Sequence, residues 1–411
     1  MARLTAAYGL FYLENRPVLL RAAEVRRPAT AALLEAVREA GFNALRPADE
    51  GLVDRSRAAR FGLAVVDPEV AGYDVGAACE RPFGVSLLAQ RATSRATESE
   101  PAALWGLAAE PAAVMTAVGR GVRGYSVAAP PEAWPALAPL QRWLGETEEE
   151  LTASVAVQDA VACLETPGSA ALLEGGFAVL ALAGFNPTLV DLLSASDADL
   201  AEFPAALFPT DGVLDVPDYG KLVVLTLRGA TMVTYPQPVQ RTPEGIAYRT
   251  TFLWPAPSKG AGAGAGGGEQ RALGRRVQVR DGVSTLLTEP FGEPYGGAAY
   301  SRLPAGQRTA HRDLALALFA EAVMPALEPD RQLEVEHVAR LSPDGGALLF
   351  VVNRLGAQSG RVRLADLPTL RLSPEFKVET LFTGSGSSAR REGDGVGLTL
   401  AASDALVVRL G

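Results

Sequence analysis

Four carboxylates, Glu24, Asp67, Glu69 and Glu110, fall at or just beyond the ends of short apolar runs that read as strands. Where strands and helices alternate around a barrel, side chains at strand ends build the reaction site. Two such carboxyl groups can divide one reaction, the first donating a proton while the second acts as base or nucleophile. Glu69 and Glu110 are the candidate catalytic pair if the chain is active. Helix caps and loop ion pairs are the alternative for all four. Trp105 and Trp134 each present a flat apolar ring with a polar N–H, suited to stacking on a flat ligand or to packing in a core. Trp143 stands in a helical stretch and Trp254 near a region's edge, which are structural positions.

Other chemistries find no support. Gly119-Arg-Gly-Val-Arg-Gly124 matches the dinucleotide fingerprint in spelling, but that motif needs a strand before it and a helix after it. Here a helical pattern precedes and a strand-like run follows. Glutamine amidotransfer needs a cysteine nucleophile and a histidine base. The chain has only Cys79 and Cys163, and its two histidines, His311 and His337, come much later. Two histidines and two distant cysteines do not make a zinc site either, and no cofactor is expected. A formal charge of −9 argues against nucleic acid, whose binders cluster positive charge. Only Lys221, Lys259 and Lys377 are lysines; the remaining basic residues are arginines, a bias of composition. The first residues lack the apolar core of a signal peptide, and no run approaches the roughly 18 apolar residues of a membrane span. A soluble, cytoplasmic protein without membrane contact is the expectation.

The elements that would position these residues fall into three regions, 1–150, 151–330 and 331–411. In the first, Phe11 to Leu20 reads as a hairpin turning at Asn15-Arg16-Pro17. Thr30 to Ala40 reads as a helix stopped by Gly41, and Asn43–Arg46, Phe61–Asp67, Phe83–Leu88, Leu104–Ala108 and Gly124–Ala128 as strands. A helix over Pro111–Val118 joins the last two. About six strands result, rather than eight. Trp134 to Leu144 is helical and runs into Glu146-Thr-Glu-Glu-Glu150, read as a solvated helix start. In the second region Phe177–Leu182, Ala206–Phe208, Leu222–Leu227 and Met232–Tyr235 read as strands of a doubly wound sheet. Residues 260–268 are a Gly-Ala repeat with the composition of a flexible loop. After a helix over Asp313–Ala326, strands at 348–352, 361–364, 377–381 and 405–410 suggest a small β-sandwich.

These segments resemble, in order, parts of the microbial β-galactosidases of glycoside hydrolase families 35 and 42. The likeness is most specific between Phe185 and Val239, in Phe185-Asn-Pro-Thr-Leu-Val-Asp, Leu207-Phe-Pro-Thr-Asp-Gly212 and Asp218-Tyr-Gly-Lys through Tyr235-Pro-Gln-Pro-Val239. In that family an amidotransferase-like domain follows a catalytic (β/α)8 barrel. Arg21 to Pro28 is similar to the first barrel strand, Ala40 to Arg46 to the second, Phe61 to Val66 to the third, and Gly119 to Ala129 to the last. Leu151 to Asp159, Val338 to Arg340 and Leu349 to Asn353 follow the family's later pattern. The resemblance implies a fold of a truncated or degenerate (β/α) barrel, an amidotransferase-like doubly wound α/β domain and a small C-terminal β-sandwich. A full barrel takes about 250 residues, and only about 150 precede the second region.

The resemblance also implies two catalytic glutamates, and neither is found. The Asn-Glu motif of the fourth strand is absent, Ala103 stands where the nucleophile belongs, and Arg26 and Arg27 replace the first strand's His and Tyr. Three readings follow. The first is a catalytically silent relative that binds carbohydrate, with Glu24, Asp67, Trp105 and Trp134 as candidate contacts, or that scaffolds an assembly. The second is an active glycosidase with a rebuilt pair at Glu69 and Glu110, whose carboxyls a retaining mechanism would hold about 5–5.5 Å apart. The third is a structural homo-oligomer, a trimer or dimer by analogy with the family's middle domain.

Overall fold

The structure is a computed structural model describing residues 4–81, 83–97, 100–248, 253–254, 275–287, 291 and 303–411. The chain divides into two compact units. Unit 1 comprises Met1–Val157 with Ala326–Gly411, and unit 2 comprises Gln158–Pro325. The C-terminal β region, expected to stand alone, therefore belongs to the same unit as the N-terminal region. The repeat at 260–268 lies outside the described residues.

Unit 1 opens with a meander of β1 (Leu4–Ala7), β2 (Leu10–Leu13) and β3 (Arg16–Val18). Its second turn places Glu14 and Asn15 at φ +52° and +66°, the two-residue geometry that matches strand twist, so the reversal comes before Arg16-Pro17. Then follow β4 (Leu20–Val25), α1 (Ala31–Glu39), β5 (Ala44–Pro47), α2 (Arg55–Arg60), β6 (Ala64–Val65), β7 (Tyr73–Asp74), α3 (Gly84–Ser94), β8 (Ala103–Leu107), α4 (Pro111–Gly119), β9 (Gly124–Val127), α5 (Ala138–Glu146), α6 (Glu148–Ala153) and β10 (Val155–Ala156). Thr30 caps α1 by accepting from the Leu33 N–H, and Asp54 caps α2 through Ser56 and Arg57.

Strands β4 to β9 form one parallel sheet in the order β6-β5-β4-β9-β8-β7. Apart from β7, each strand neighbours its predecessor, and β9 returns to β4; among the described residues no pairing joins β6 to β7, which are the two edges of the sheet. Period-two alternation sends the two faces into different cores. Leu20, Ala22, Ala44, Ala64, Ala103 and Trp105 pack with Phe11 of β2 on one face. Ala23, Val25, Leu45, Leu104, Leu107 and Val127 meet the helices on the other, together with Leu348, Phe350 and Val352 from the C-terminal region. Phe83–Leu88, expected as a strand, begins the helix α3 instead, and the sixth strand is Tyr73–Asp74. The apolar run at 83–88 is short, and such runs do not distinguish a strand from a helix start.

Unit 2 holds β11 (Val161–Glu165), α7 (Ala170–Leu182), β12 (Thr188–Asp191), α8 (Asp197–Leu200), β13 (Ala205–Thr210), α9 (Val216–Leu227), β14 (Thr231–Pro236), β15 (Arg275–Val279), β16 (Gly282–Leu286) and α10 (Ala305–Phe319). Its sheet runs β12-β11-β13-β14-β16-β15, parallel except for the final hairpin. Phe177–Leu182 and Leu222–Leu227, read as strands, lie in helices α7 and α9. Helix α7 buries every residue from Leu173 to Leu182, so it carries no polar face and its period is invisible. Helix α9 is announced by Asp215, whose carboxylate caps Val216, and by Pro217 in the first turn. Helix α10 starts eight residues before the expected Asp313, so His311 lies within it. Cys163 is buried in β11, where burial pushes its thiol pKa up.

The chain returns to unit 1 with β17 (Leu327–Pro329), β18 (Glu336–Leu341), β19 (Ala347–Val352), β20 (Gln358–Leu364), β21 (Val378–Thr383), β22 (Ser388–Glu392), β23 (Gly395–Leu400) and β24 (Ala405–Leu410). One sheet orders β10-β18-β19-β24-β21 and the other β17-β20-β23-β22. Leu333, Leu349, Val351, Val362, Val396, Leu406 and Val408 join a shared core from both sheets.

Three polar clusters tie the parts of unit 1 together. Glu336 on β18 accepts from Arg120 at 2.9 Å and from Arg354 at 3.2 Å, and also from Ser86 of α3. Arg340, 1% exposed, donates to the Leu151 and Ser154 carbonyls at 2.8 and 2.9 Å and to the Val118 carbonyl. It thereby satisfies carbonyls at the ends of α4 and α6. The acidic run, expected as a solvated helix start, is partly engaged: Glu148 accepts from Arg21 at 2.8 Å, and Glu150 from Ser342 at 2.9 Å and Arg409 at 2.5 Å.

Candidate functional site

The C-terminal ends of β4, β5, β8 and β9 bring one polar cluster together. Alternation along β4 puts Glu24 on the same face as Leu20 and Ala22, and along β5 puts Arg46 beside Ala44. The small interior alanines leave room for the longer polar side chains that follow them. Glu24 Oε1 accepts from Arg46 Nη1 at 3.2 Å and from Ser126 Oγ of β9 at 2.8 Å. Its other oxygen, Oε2, faces Arg26 Nη2 at 3.6 Å. Ser126 Oγ also accepts from the Gly106 N–H at 2.8 Å, where β8 departs from regular register.

Gly106 has φ +84°, and a methyl group there would lie 3.5 Å from Asp74 Oδ1 and 3.7 Å from Glu24 Oε1. The absence of a side chain thus leaves a small space bordered by two carboxylates. Asp74 Oδ1 accepts from the Gly76 N–H at 3.0 Å. The Arg46 guanidinium sits 5.0 Å from the centre of the Trp105 ring, a cation–π contact, while Trp105 itself is 2% exposed and its indole N–H abuts Gly72.

Beside this cluster a cleft of about 550 Å3 opens between the loops after β4 and β9. Glu24, Arg26 and Arg27 line one side, Glu132 and Trp134 the other. That volume falls in the range of small-molecule sites. Trp134 donates its indole N–H to the Ala129 carbonyl at 3.1 Å and packs edge-on against Phe42, so it forms wall rather than a free stacking ring.

The carboxylates singled out from sequence separate into two groups. Glu24 and Trp105 enter the cluster. Asp67 is paired with Arg55 in an exposed contact on the loop after β6. Glu69 lies on that same exposed loop and Glu110 immediately before α4. Among the described residues neither glutamate makes a side-chain hydrogen bond or ion pair. Arg46, Asp74, Gly106 and Ser126 were not anticipated. Arg46 and Ser126 lie on runs read as strands, each two positions after a small residue, but no local pattern pairs them with Glu24. Asp74 sits on a two-residue strand that has no apolar run. Among the described residues, no group of three His, Cys, Asp or Glu side chains is placed to hold a metal ion, and no helix is long and apolar enough to cross a membrane.

No protein-family model and no curated protein matches the chain. Solved structures do. A β-galactosidase from Bacillus circulans sp. alkalophilus aligns with a TM-score of 0.53 at 10% identity, covering 90% of this chain and 63% of that one. A β-galactosidase from the haloarchaeon Halorubrum lacusprofundi aligns at 0.52 and 13% identity, covering 89% and 63%. An α-L-fucosidase isoenzyme from Paenibacillus thiaminolyticus aligns at 0.50 and 12% identity, covering 92% and 78%. The chain has a glycoside-hydrolase-like fold, and it spans 63% of the length of these two galactosidases.

Proposed function

We propose that this chain is a catalytically silent relative of the β-galactosidases that binds carbohydrate in the cleft beside Glu24. The observation that carries the reading is the engagement of Glu24. Both of its oxygens face guanidinium groups, and Oε1 also accepts from a hydroxyl. Such a carboxylate is held in a fixed frame, an arrangement suited to accepting from hydroxyl groups of a bound sugar. Arg26, which is largely exposed, and Glu132 supply a donor and an acceptor at the cleft's rim. The absence from the sequence of both glutamates that the resemblance implies supports silence.

An active hydrolase is the second reading, and Asp74 favours it. Asp74 and Glu24 flank one small space beside Gly106, as a divided acid and base would. In that case Glu24→Gln and Asp74→Asn would each remove turnover of a chromogenic galactoside by orders of magnitude. On the silent reading, neither protein nor variant releases the chromophore, and Arg26→Ala weakens galactoside binding. Scaffolding within a homo-oligomer is compatible with either and is tested by sedimentation of the full chain.

A further inference from the structure

We propose that the outer face of the β17-β20-β23-β22 sheet binds a carboxylate-bearing sugar, in a trough separate from the cleft beside Glu24. A cavity of about 610 Å3 lies over this face. Its floor is set by register. Gly397 on β23 stands directly between Arg361 on β20 and Arg390 on β22. One step along the strands, Thr399 stands between Ser359 and Ser388. Alternation turns both rows outward, while Val362, Val396 and Leu398 on the same strands face the core. Inter-strand spacing places the Arg361 and Arg390 backbones roughly 10 Å apart, with the hydroxyl row roughly 7 Å along.

The glycine is what makes the notch. A Cβ on Gly397 would collide with Oε2 of Glu392, so the Glu392 carboxylate lies folded over the bare backbone between the two arginines. The notch therefore already accepts one carboxylate, supplied by the protein itself. Arg390 reaches that carboxylate only at 4.0 Å and is 81% exposed. The other acids nearby are committed elsewhere: Asp330 accepts from the Arg361 backbone N–H at 2.8 Å and Asp394 pairs with the Arg361 guanidinium at 3.2 Å. A ligand carboxylate that displaces Glu392 would meet Arg390 with full charge-assisted geometry. Three hydroxyls in a row, each both donor and acceptor, match a ring bearing neighbouring hydroxyls. The lining carries no aromatic ring, and its one large apolar side chain, Leu398, points to the core. A polar ligand therefore fits this face and a lipid or apolar peptide does not.

Calorimetric titration of the full chain with tri-galacturonic acid, and with maltotriose as the neutral comparison, tests the assignment. Tri-galacturonic acid is expected to bind at least about tenfold more tightly than maltotriose, and Arg390→Ala to weaken it about tenfold, the loss expected for one charge-assisted contact. Glu392→Gln is expected to tighten binding several-fold by removing the internal competitor. Glu202→Gln, which changes net charge equally at an exposed position of unit 2, is expected to leave it unchanged. Equal binding of both sugars, no binding, indifference to Arg390→Ala, or equal responses to Glu392→Gln and Glu202→Gln would each overturn the proposal.

Discussion

Glu336 shows what one buried charge does in this molecule. Burial alone would raise its pKa, but Arg120, Arg354 and the Ser86 hydroxyl together outweigh that and hold it below the ordinary carboxylate value. A group depressed in the folded state stabilises above its unfolded pKa, and that contribution disappears as pH falls through the folded value. Acid unfolding followed by circular dichroism should therefore show a limb below about pH 4.5 that Glu336→Gln flattens. Glu148 has the opposite sign. Burial raises its pKa despite the Arg21 guanidinium, so protonation just above the ordinary carboxylate value favours the folded form. Glu148→Gln should remove that gain on mild acidification. At neutral pH, urea unfolding of Glu336→Gln should show a loss of about 3–5 kcal/mol, because Arg120 and Arg354 lose their shared counter-charge. A loss under 1 kcal/mol would mean that the network contributes little.

Elements were legible where their signals were local. The helices at 31–39 and 111–119 carried periodicity with a clear stop or a proline start, and the strands at 44–47, 103–107 and 124–127 were short apolar runs between turn residues. Helix α7 was misread for a physical reason, since a helix buried on all sides repeats like a buried strand until its length is weighed. Helix α9 buries only Asp218, Leu222, Leu225 and Thr226, and its apolar run Leu222–Leu227 is short enough to read as either element. Of the candidate site, Glu24 and Trp105 were readable from their strand-end positions. Arg46 and Ser126 could be placed beside Glu24 only once β4 was known to lie between β5 and β9, a long-range pairing that no local pattern encodes.

Two glycines test the packing at this scale. A Cβ on Gly119 would lie 3.0 Å from Phe350 Cβ and Cγ, so α4 approaches β19 through that missing side chain. Gly119→Val should lower stability by about 1–3 kcal/mol through overpacking. Gly220 lies inside α9, and among the described residues nothing stands within 4 Å of an added Cβ, so Gly220→Ala should raise stability by about 0.5–1 kcal/mol. Thermal melts of both variants decide the point, and a melting temperature that rises for Gly119→Val would refute the first.

For the whole molecule, unit 2 is an insertion in the chain of unit 1. Val157, the last residue before it, and Ala326, the first after it, both pack in the core shared by the two C-terminal sheets. Unit 1 should therefore fold when 158–325 are replaced by a short Gly-Ser linker, with one cooperative melt; an unfolded or aggregated product would show that the insertion is needed. The barrel-like sheet of unit 1 is proposed to hold a sugar without cleaving it. The measurement that tests it most directly is calorimetric titration of the full chain with p-nitrophenyl β-galactoside, reading nitrophenolate release in the same sample. Binding heat that Arg26→Ala reduces is expected, with no release above buffer. Release that disappears in Glu24→Gln would contradict it and identify the sheet's mouth as a working active site.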